Sequence, residues 1–136
     1  MNLTQGMTLH PTDDYADTFV DILIVNYDSR VLDLVVDMGT ATEINFYLEF
    51  QVSYFNESDG TILVSPEYFR ECQITSDDII KYTNYRITSS GKYRIPISTA
   101  GFEYKLKIPF KADIPGSAAS VKIYSGLNTT RAKGGY

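Results

Sequence analysis

The segment from Glu43 to Phe55 constrains the fold of this chain more than any other. Ile44, Phe46, Leu48, Phe50, Val52 and Tyr54 share one side of an extended backbone, and Asn45, Tyr47, Glu49, Gln51 and Ser53 share the other. Strand side chains alternate between faces, so apolar residues at every second position define a strand with one core face and one polar face. A helix would scatter the same residues around its axis. Asn56-Glu57-Ser58-Asp59-Gly60 follows, with Asp-Gly where a tight turn needs a positive φ, and Thr61 to Val64 returns as the partner strand.

The same period recurs along the chain. Phe19, Val20, Ile22 and Ile24 read as a strand that ends at the turn Asn26-Tyr27-Asp28-Ser29. Leu32, Leu34, Val36 and Met38 are placed in the core, and Asp33 and Asp37 face solvent. Phe102, Tyr104, Leu106, Ile108 and Phe110 alternate with Glu103, Lys105, Lys107, Pro109 and Lys111. Pro109 has no N–H to give to a ladder, which puts this strand at an edge or ends its pairing there. Tyr68 to Ile74 reads as a short strand, Tyr85–Thr88 and Tyr93–Ile97 as a hairpin around Ser89-Ser90-Gly91, and Ala119 to Tyr124 as the last strand. Ser76 to Tyr82, with Thr75 or Ser76 to cap and acids in the first turn, carries the helix-start signature.

These readings predict an all-β protein, an antiparallel β-sandwich or jelly-roll-like fold of seven to nine short strands with at most one short helix. Val, Ile, Thr, Phe and Tyr make up 52 of the 136 residues, which agrees with that class. A chain of this length is one domain. Residues 18–126 are expected to form the sandwich. Residues 1–17 read as a flexible N-terminal arm and 127–136 as a flexible C-terminal tail, both too polar to bury themselves.

The residue inventory points away from catalysis. One cysteine, Cys72, allows no internal disulfide, and with one histidine, His10, neither a nucleophile–base pair nor a His-rich metal centre is expected. Cys72 is expected as a buried structural thiol. Glu49 and Glu103 lie on the polar faces of two strands and read as solvent-facing residues, not as a glycosidase pair. Asn56–Gly60 and the Asp13, Asp14, Asp17 cluster offer oxygen ligands without the spacing of a helix–loop–helix calcium site. No catalytic residue, cofactor or metal site is therefore expected. The opening MNLTQGMTLHPTDD has no basic or apolar region of a secretory signal, and no apolar run is long enough for a spanning helix, so neither export nor membrane association is expected.

Charge suggests a partner. Residues 1–60 carry eleven acids and one base, a net of −10, while residues 61–136 carry eleven bases and six acids, a net of +5. Either strands of opposite sign neutralise each other inside one molecule, or the acidic side of one copy docks on the basic side of a neighbour. The overall net charge of −5 argues against nucleic acid. Eleven tyrosines and seven phenylalanines raise carbohydrate stacking as the other binding mode, with Tyr47, flanked by Asn45 and Gln51 on its face, as the aromatic best placed for it.

The run INFYLEFQVSYFNESDGTI (44–62), and the segment YRIPISTAGFEYKLKIPFKAD (93–113), resemble strands of small virion structural proteins of tailed bacteriophages. The resemblance implies a non-enzymatic β-sandwich of the head decoration, or cement, type, or a neck or tail component. It would be assembled in the host cytoplasm and carried on the virion. The implied partners are the major capsid protein and further copies of the chain itself as a homo-oligomer. Asp13, Asp14 and Asp17 at the front, and Arg131, Lys133 and Tyr136 at the back, are the expected partner contacts. A carbohydrate-binding module is the alternative.

Overall fold

The computed structural model describes residues 7–23, 29–98 and 103–127. The alternating segments become twelve strands, and the described residues contain no helix. In chain order these are β1 (Met7–Leu9), β2 (Phe19–Leu23), β3 (Ser29–Asp37), β4 (Ile44–Phe46), β5 (Glu49–Asn56) and β6 (Thr61–Arg70). They continue as β7 (Cys72–Ile74), β8 (Ile80–Tyr82), β9 (Tyr85–Ile87), β10 (Gly91–Ser98), β11 (Glu103–Ala112) and β12 (Ser120–Leu127). One sheet has the order β1-β12-β3-β10, and the other runs β6-β5-β11-β4-β9 with β2 also paired to β11. β7 and β8 form a separate two-stranded ribbon. All pairings are antiparallel, and the protein is a β-sandwich.

The inward residues of both sheets make a single core. Leu32, Leu34 and Val36 of β3 and Val121 and Ile123 of β12 meet Ile44 and Phe46 of β4, Leu48, and Leu106, Ile108, Phe110 and Ala112 of β11. Leu32, Ile44, Leu106, Ile108 and Phe110 are fully enclosed, each at 0 % exposure. Where the chain leaves β3, Gly39 (φ 56°) passes so close to residues 117–118 that a Cβ there would lie 2.1 Å from the Ser117 carbonyl oxygen. Thr40 N donates to that same oxygen at 2.8 Å, tying the β3–β4 turn to the start of β12.

The Glu43–Phe55 strand exists, with one interruption. Ala112 stands opposite Ile44, Phe110 opposite Phe46, Lys107 opposite Glu49 and Leu106 opposite Phe50. This unbroken register makes β4 and β5 two parts of one line, parted only at Tyr47 and Leu48. In that register Pro109 faces Tyr47. The N–H groups of Phe110 and Ala112 point the other way, to the carbonyls of Thr18 (2.9 Å) and Thr12 (2.8 Å). Position 109 therefore faces the β4–β5 line, where a proline has nothing to donate. The proline does interrupt pairing, but β11 is an interior strand, flanked by β2 on one side and by β4 and β5 on the other.

Three local expectations are corrected. Tyr85–Thr88 and Tyr93–Ile97 do not form a hairpin: β9 pairs with β4 in one sheet and β10 with β3 in the other. The Ser89-Ser90-Gly91 turn crosses between sheets instead, held by Tyr93 Oη donating to the Ser89 carbonyl at 2.6 Å and Met38 N donating to Ser90 Oγ at 2.9 Å. The helix signature at 76–82 is a turn into β8, with Asp78 N bonded to the Thr75 carbonyl (3.0 Å) and Asp78 at φ 61°. A capping hydroxyl followed by acids serves a tight turn as well as a helix start, and two β-branched residues after it favour a strand. Cys72 is exposed, not buried, because the β7–β8 ribbon stands off the sandwich.

The charge split is interleaved within the molecule. Asp33 of β3 faces Arg94 of β10 in a two-pronged pair of 2.8 and 2.9 Å, and the guanidinium holds the Asp33 carboxyl below the usual carboxylate range. Glu49 stands opposite both Arg70 and Lys107, and Asp21 opposite Lys107.

Candidate binding face

The outer surface of the sheet that contains β11 collects aromatic rings and cations from five separate segments. Lys107 lies over the Phe19 ring (4.6 Å) and near the Tyr68 ring (5.5 Å), and Tyr68 Oη donates to Asp21 Oδ2 at 3.0 Å. Lys111 lies 4.8 Å over Tyr15. Tyr15 meets Tyr47 edge to face, with centroids 4.9 Å apart at 74°. The Arg70 guanidinium is held between Tyr47 (3.8 Å) and Tyr82 (4.6 Å). Each such contact contributes about 0.5–1 kcal/mol at an exposed site. Among the described residues none of Arg70, Lys107 and Lys111 has a carboxylate within 4.0 Å, and Arg70 Nε is buried without a hydrogen-bond partner.

These contacts leave a groove of about 360 Å³, bounded by Asp14, Tyr15, Ala16, Phe19, Tyr47, Glu49, Lys107 and Pro109. Tyr47 reaches its wall where the ladder parts opposite Pro109. Asn45, expected on the same open face, is buried beneath Asn84, whose Nδ2 donates to Asn45 Oδ1 at 3.4 Å, and Asn45 Nδ2 donates to Glu43 Oε1 at 3.0 Å. Tyr15 Oη also reaches Asn84 Oδ1 at 3.4 Å. Gln51 remains on that face, opposite Tyr68 and Lys105.

Burial raises the pKa of Tyr15, Tyr47 and Tyr68. Tyr85, which lies elsewhere, donates to Glu71 Oε1 at 3.0 Å, and burial reinforced by that carboxylate pushes it up to about 12. The folded protein therefore keeps these phenolic protons to higher pH than the unfolded chain does. Their contribution to stability is complete below about pH 10 and is lost as pH rises towards 12. The melting temperature is expected to fall steadily above pH 10, and less steeply for Tyr85→Phe, which has no phenolic proton. A thermal scan at pH 8 to 11.5 followed by circular dichroism checks this. A flat profile for the parent would overturn it.

The apolar flank adjoins this face through Tyr82. Cys72 pairs with Tyr82 and Ile74 with Ile80, so all four side chains share one face of the β7–β8 ribbon. Ile74 is 71 %, Ile80 66 % and Tyr82 65 % exposed. Phe69, beside Arg70, and Ile79 in the ribbon turn are exposed as well; Tyr54, Leu63 and Val64 are exposed at the far end of the β5–β6 hairpin. Single exposed apolar residues are ordinary, but Ile74, Ile79, Ile80 and Tyr82 together on one short ribbon mark an interaction surface.

Residues 7–17, expected as part of an arm, supply β1, paired with β12, and a turn packed on β11. Asp14 and Asp17 shape that turn: Asp14 Oδ1 accepts from Ala16 N at 2.9 Å, and Asp17 Oδ2 accepts from Thr12 Oγ1 at 3.0 Å. Asp13 is exposed beside them. Arg131, Lys133 and Tyr136 lie outside the described residues. His10 is exposed after β1. Glu49 and Glu103 belong to adjacent strands, but Glu49 faces Lys107 and Glu103 faces Val52. The described residues contain no group of three or more His, Cys, Asp or Glu side chains able to hold a metal ion. Asn56 and Asp59 build the hairpin turn, each accepting from a backbone N–H two residues on at 3.1 Å. Sequence patterning does not mark Tyr15, Phe19, Arg70, Tyr82 or Lys107 as site residues. The one available signal was the spacing of Tyr68 and Arg70, two apart on an edge strand.

No protein-family model matches the chain, and no curated protein matches it in sequence. Among solved structures it is similar to CorA, a surface-associated copper-binding protein of Methylomicrobium album BG8. The identity is 7 %, the TM-score is 0.49, and the match covers 91 % of this chain and 93 % of that one. It is also similar to a candidate sugar-binding protein from Bacteroides thetaiotaomicron VPI-5482, at 10 % identity and TM-score 0.44, covering 94 % and 75 % of the two chains.

Proposed function

We propose that this protein is a non-enzymatic assembly module that adds to a many-subunit particle by docking its apolar flank on a further copy of itself. The observation that carries this reading is the ribbon face of Cys72, Ile74, Ile80 and Tyr82, all four exposed side by side. A bacteriophage virion, with the major capsid protein as the other neighbour, is the setting implied by the resemblance of residues 44–62 and 93–113. Light scattering at low and high salt tests the docking. Apolar contacts are not screened, so a dimer or larger assembly is expected to persist at 1 M salt. A monomer at every salt overturns self-docking. Dissociation by salt overturns the apolar mode in favour of the −10/+5 charge split.

A second reading is favoured by the groove beside Tyr47: a carbohydrate-binding module in which Tyr47, Tyr15 and Phe19 offer ring faces and Asp14, Glu49 and Lys107 offer polar partners. Glycan-array binding is then expected, insensitive to salt and reduced at least tenfold by Tyr47→Ala, the loss expected when a principal stacking ring is removed. An array with no bound glycan overturns this reading and leaves self-docking untouched.

A further inference from the structure

At the β9 and β10 edges of the sandwich the two sheets part. β9 is the edge of one and β10 the edge of the other, and between them lies a cleft of about 220 Å³. Phe46 and Tyr85 form one wall, stacked with centroids 4.8 Å apart and planes within 8°; Ile87, Tyr93 and Ile95 complete the apolar lining. Arg86 and Arg94 stand at the rim. Both tyrosine hydroxyls are already engaged, Tyr85 with Glu71 and Tyr93 with Ser89. The interior therefore offers a ligand rings and methyl groups, with no unspent phenol.

The two arginines differ in what they have left to give. Arg94 is committed to Asp33 through two hydrogen bonds of 2.8 and 2.9 Å. Arg86 Nε is 3.8 Å from Glu43 Oε2, its side chain makes no hydrogen bond among the described residues, and that side chain is 63 % exposed. A guanidinium with free N–H groups beside an apolar cleft matches a ligand with a flat apolar body and a carboxylate at one end. A space of this volume equals roughly seven waters' share of liquid and suits about ten non-hydrogen atoms.

We propose that the β9–β10 cleft is a binding site for small apolar carboxylates of the arylacetate kind, with Arg86 holding the carboxylate. The site is distinct from both surfaces of the binding face and does not depend on either reading of them.

The test is titration of the 15N-labelled protein with phenylacetate, 2-phenylethanol and acetate, following amide shifts. Phenylacetate is expected to shift the amides of 85–87 and 93–95 with a dissociation constant on the order of 1 mM. The alcohol and acetate are expected to bind about tenfold more weakly, each lacking one of the two contacts. Arg86→Gln, at an exposed position, is expected to bring phenylacetate down to the level of the alcohol and leave the alcohol unchanged. Ile95→Trp is expected to fill the cleft and abolish both. Equal binding of phenylacetate and the alcohol to the parent protein, shifts confined to other residues, or no shift at all would overturn the proposal.

Discussion

Phe110→Ala is expected to lower the free energy of unfolding by about 3–5 kcal/mol, measured by urea denaturation. The ring is fully enclosed and packs on Phe46 with centroids 5.2 Å apart. Its backbone is fixed on both sides: its N–H donates to the Thr18 carbonyl at 2.9 Å, and it stands opposite Phe46 in the register with β4. An interior strand held in this way cannot close over a missing ring, so the penalty falls at the upper end for such substitutions. A domain of this size has about 5–15 kcal/mol in total, and the melting temperature should drop by roughly 10–20 °C. Phe69→Ala provides the contrast, because Phe69 lies on edge strand β6 and is half exposed. Its loss should cost less than about 1 kcal/mol. Similar effects for the two substitutions would contradict the burial pattern derived for β11 and β6.

The same strand shows how far sequence carries an argument of this kind. Period-two patterning reports which face a residue occupies, and it placed Leu32, Leu34, Val36 and Met38 inside and Asp37 outside, as observed. It does not report what lies alongside. Pro109 reads as an edge or an end of pairing because its missing N–H is a local fact. That its gap falls opposite Tyr47, with β2 bonded on the other side, depends on strands far away in the chain. Ser89-Ser90-Gly91 signals a reversal equally well for a hairpin or for a passage between sheets. The choice is made by where Ile87 and Ile97 bury themselves.

The binding face was less legible for the same reason. Tyr47 was visible as an aromatic on an outward register. Its neighbours Tyr15, Arg70 and Tyr82 come from a turn, an edge strand and a ribbon, and meet only through tertiary packing. The polar stretch before Phe19 shows no periodicity, because its order comes from backbone bonds to β11 and the pairing of β1 with β12, with Leu9 partly buried and Pro11 and Thr18 buried at irregular spacing. Cysteine is usually buried, so sequence places Cys72 inside and does not reveal a ribbon that stands clear of the core.

That ribbon carries the second large effect. Ile74→Asp with Ile80→Asp is expected to dissociate the self-assembled protein to monomers while leaving its melting temperature within about 2 °C. The two isoleucines stand opposite each other and are mostly exposed in the single chain, so the fold does not depend on them. In a docked pair each would leave water, contributing about 1.5–3 kcal/mol, and a carboxylate in its place would be buried without a partner. The two together account for about 3–6 kcal/mol per docked face, a factor of roughly 10²–10⁴ in the dissociation constant. Sedimentation velocity over a hundredfold range of protein concentration measures this directly. Tyr47→Ala belongs in the same experiment, because it alters the groove and leaves Ile74 and Ile80 in place. Loss of mass in the double variant alone assigns association to the apolar ribbon. An unchanged mass in the double variant would show that copies meet elsewhere and would sink the docking surface proposed for this protein.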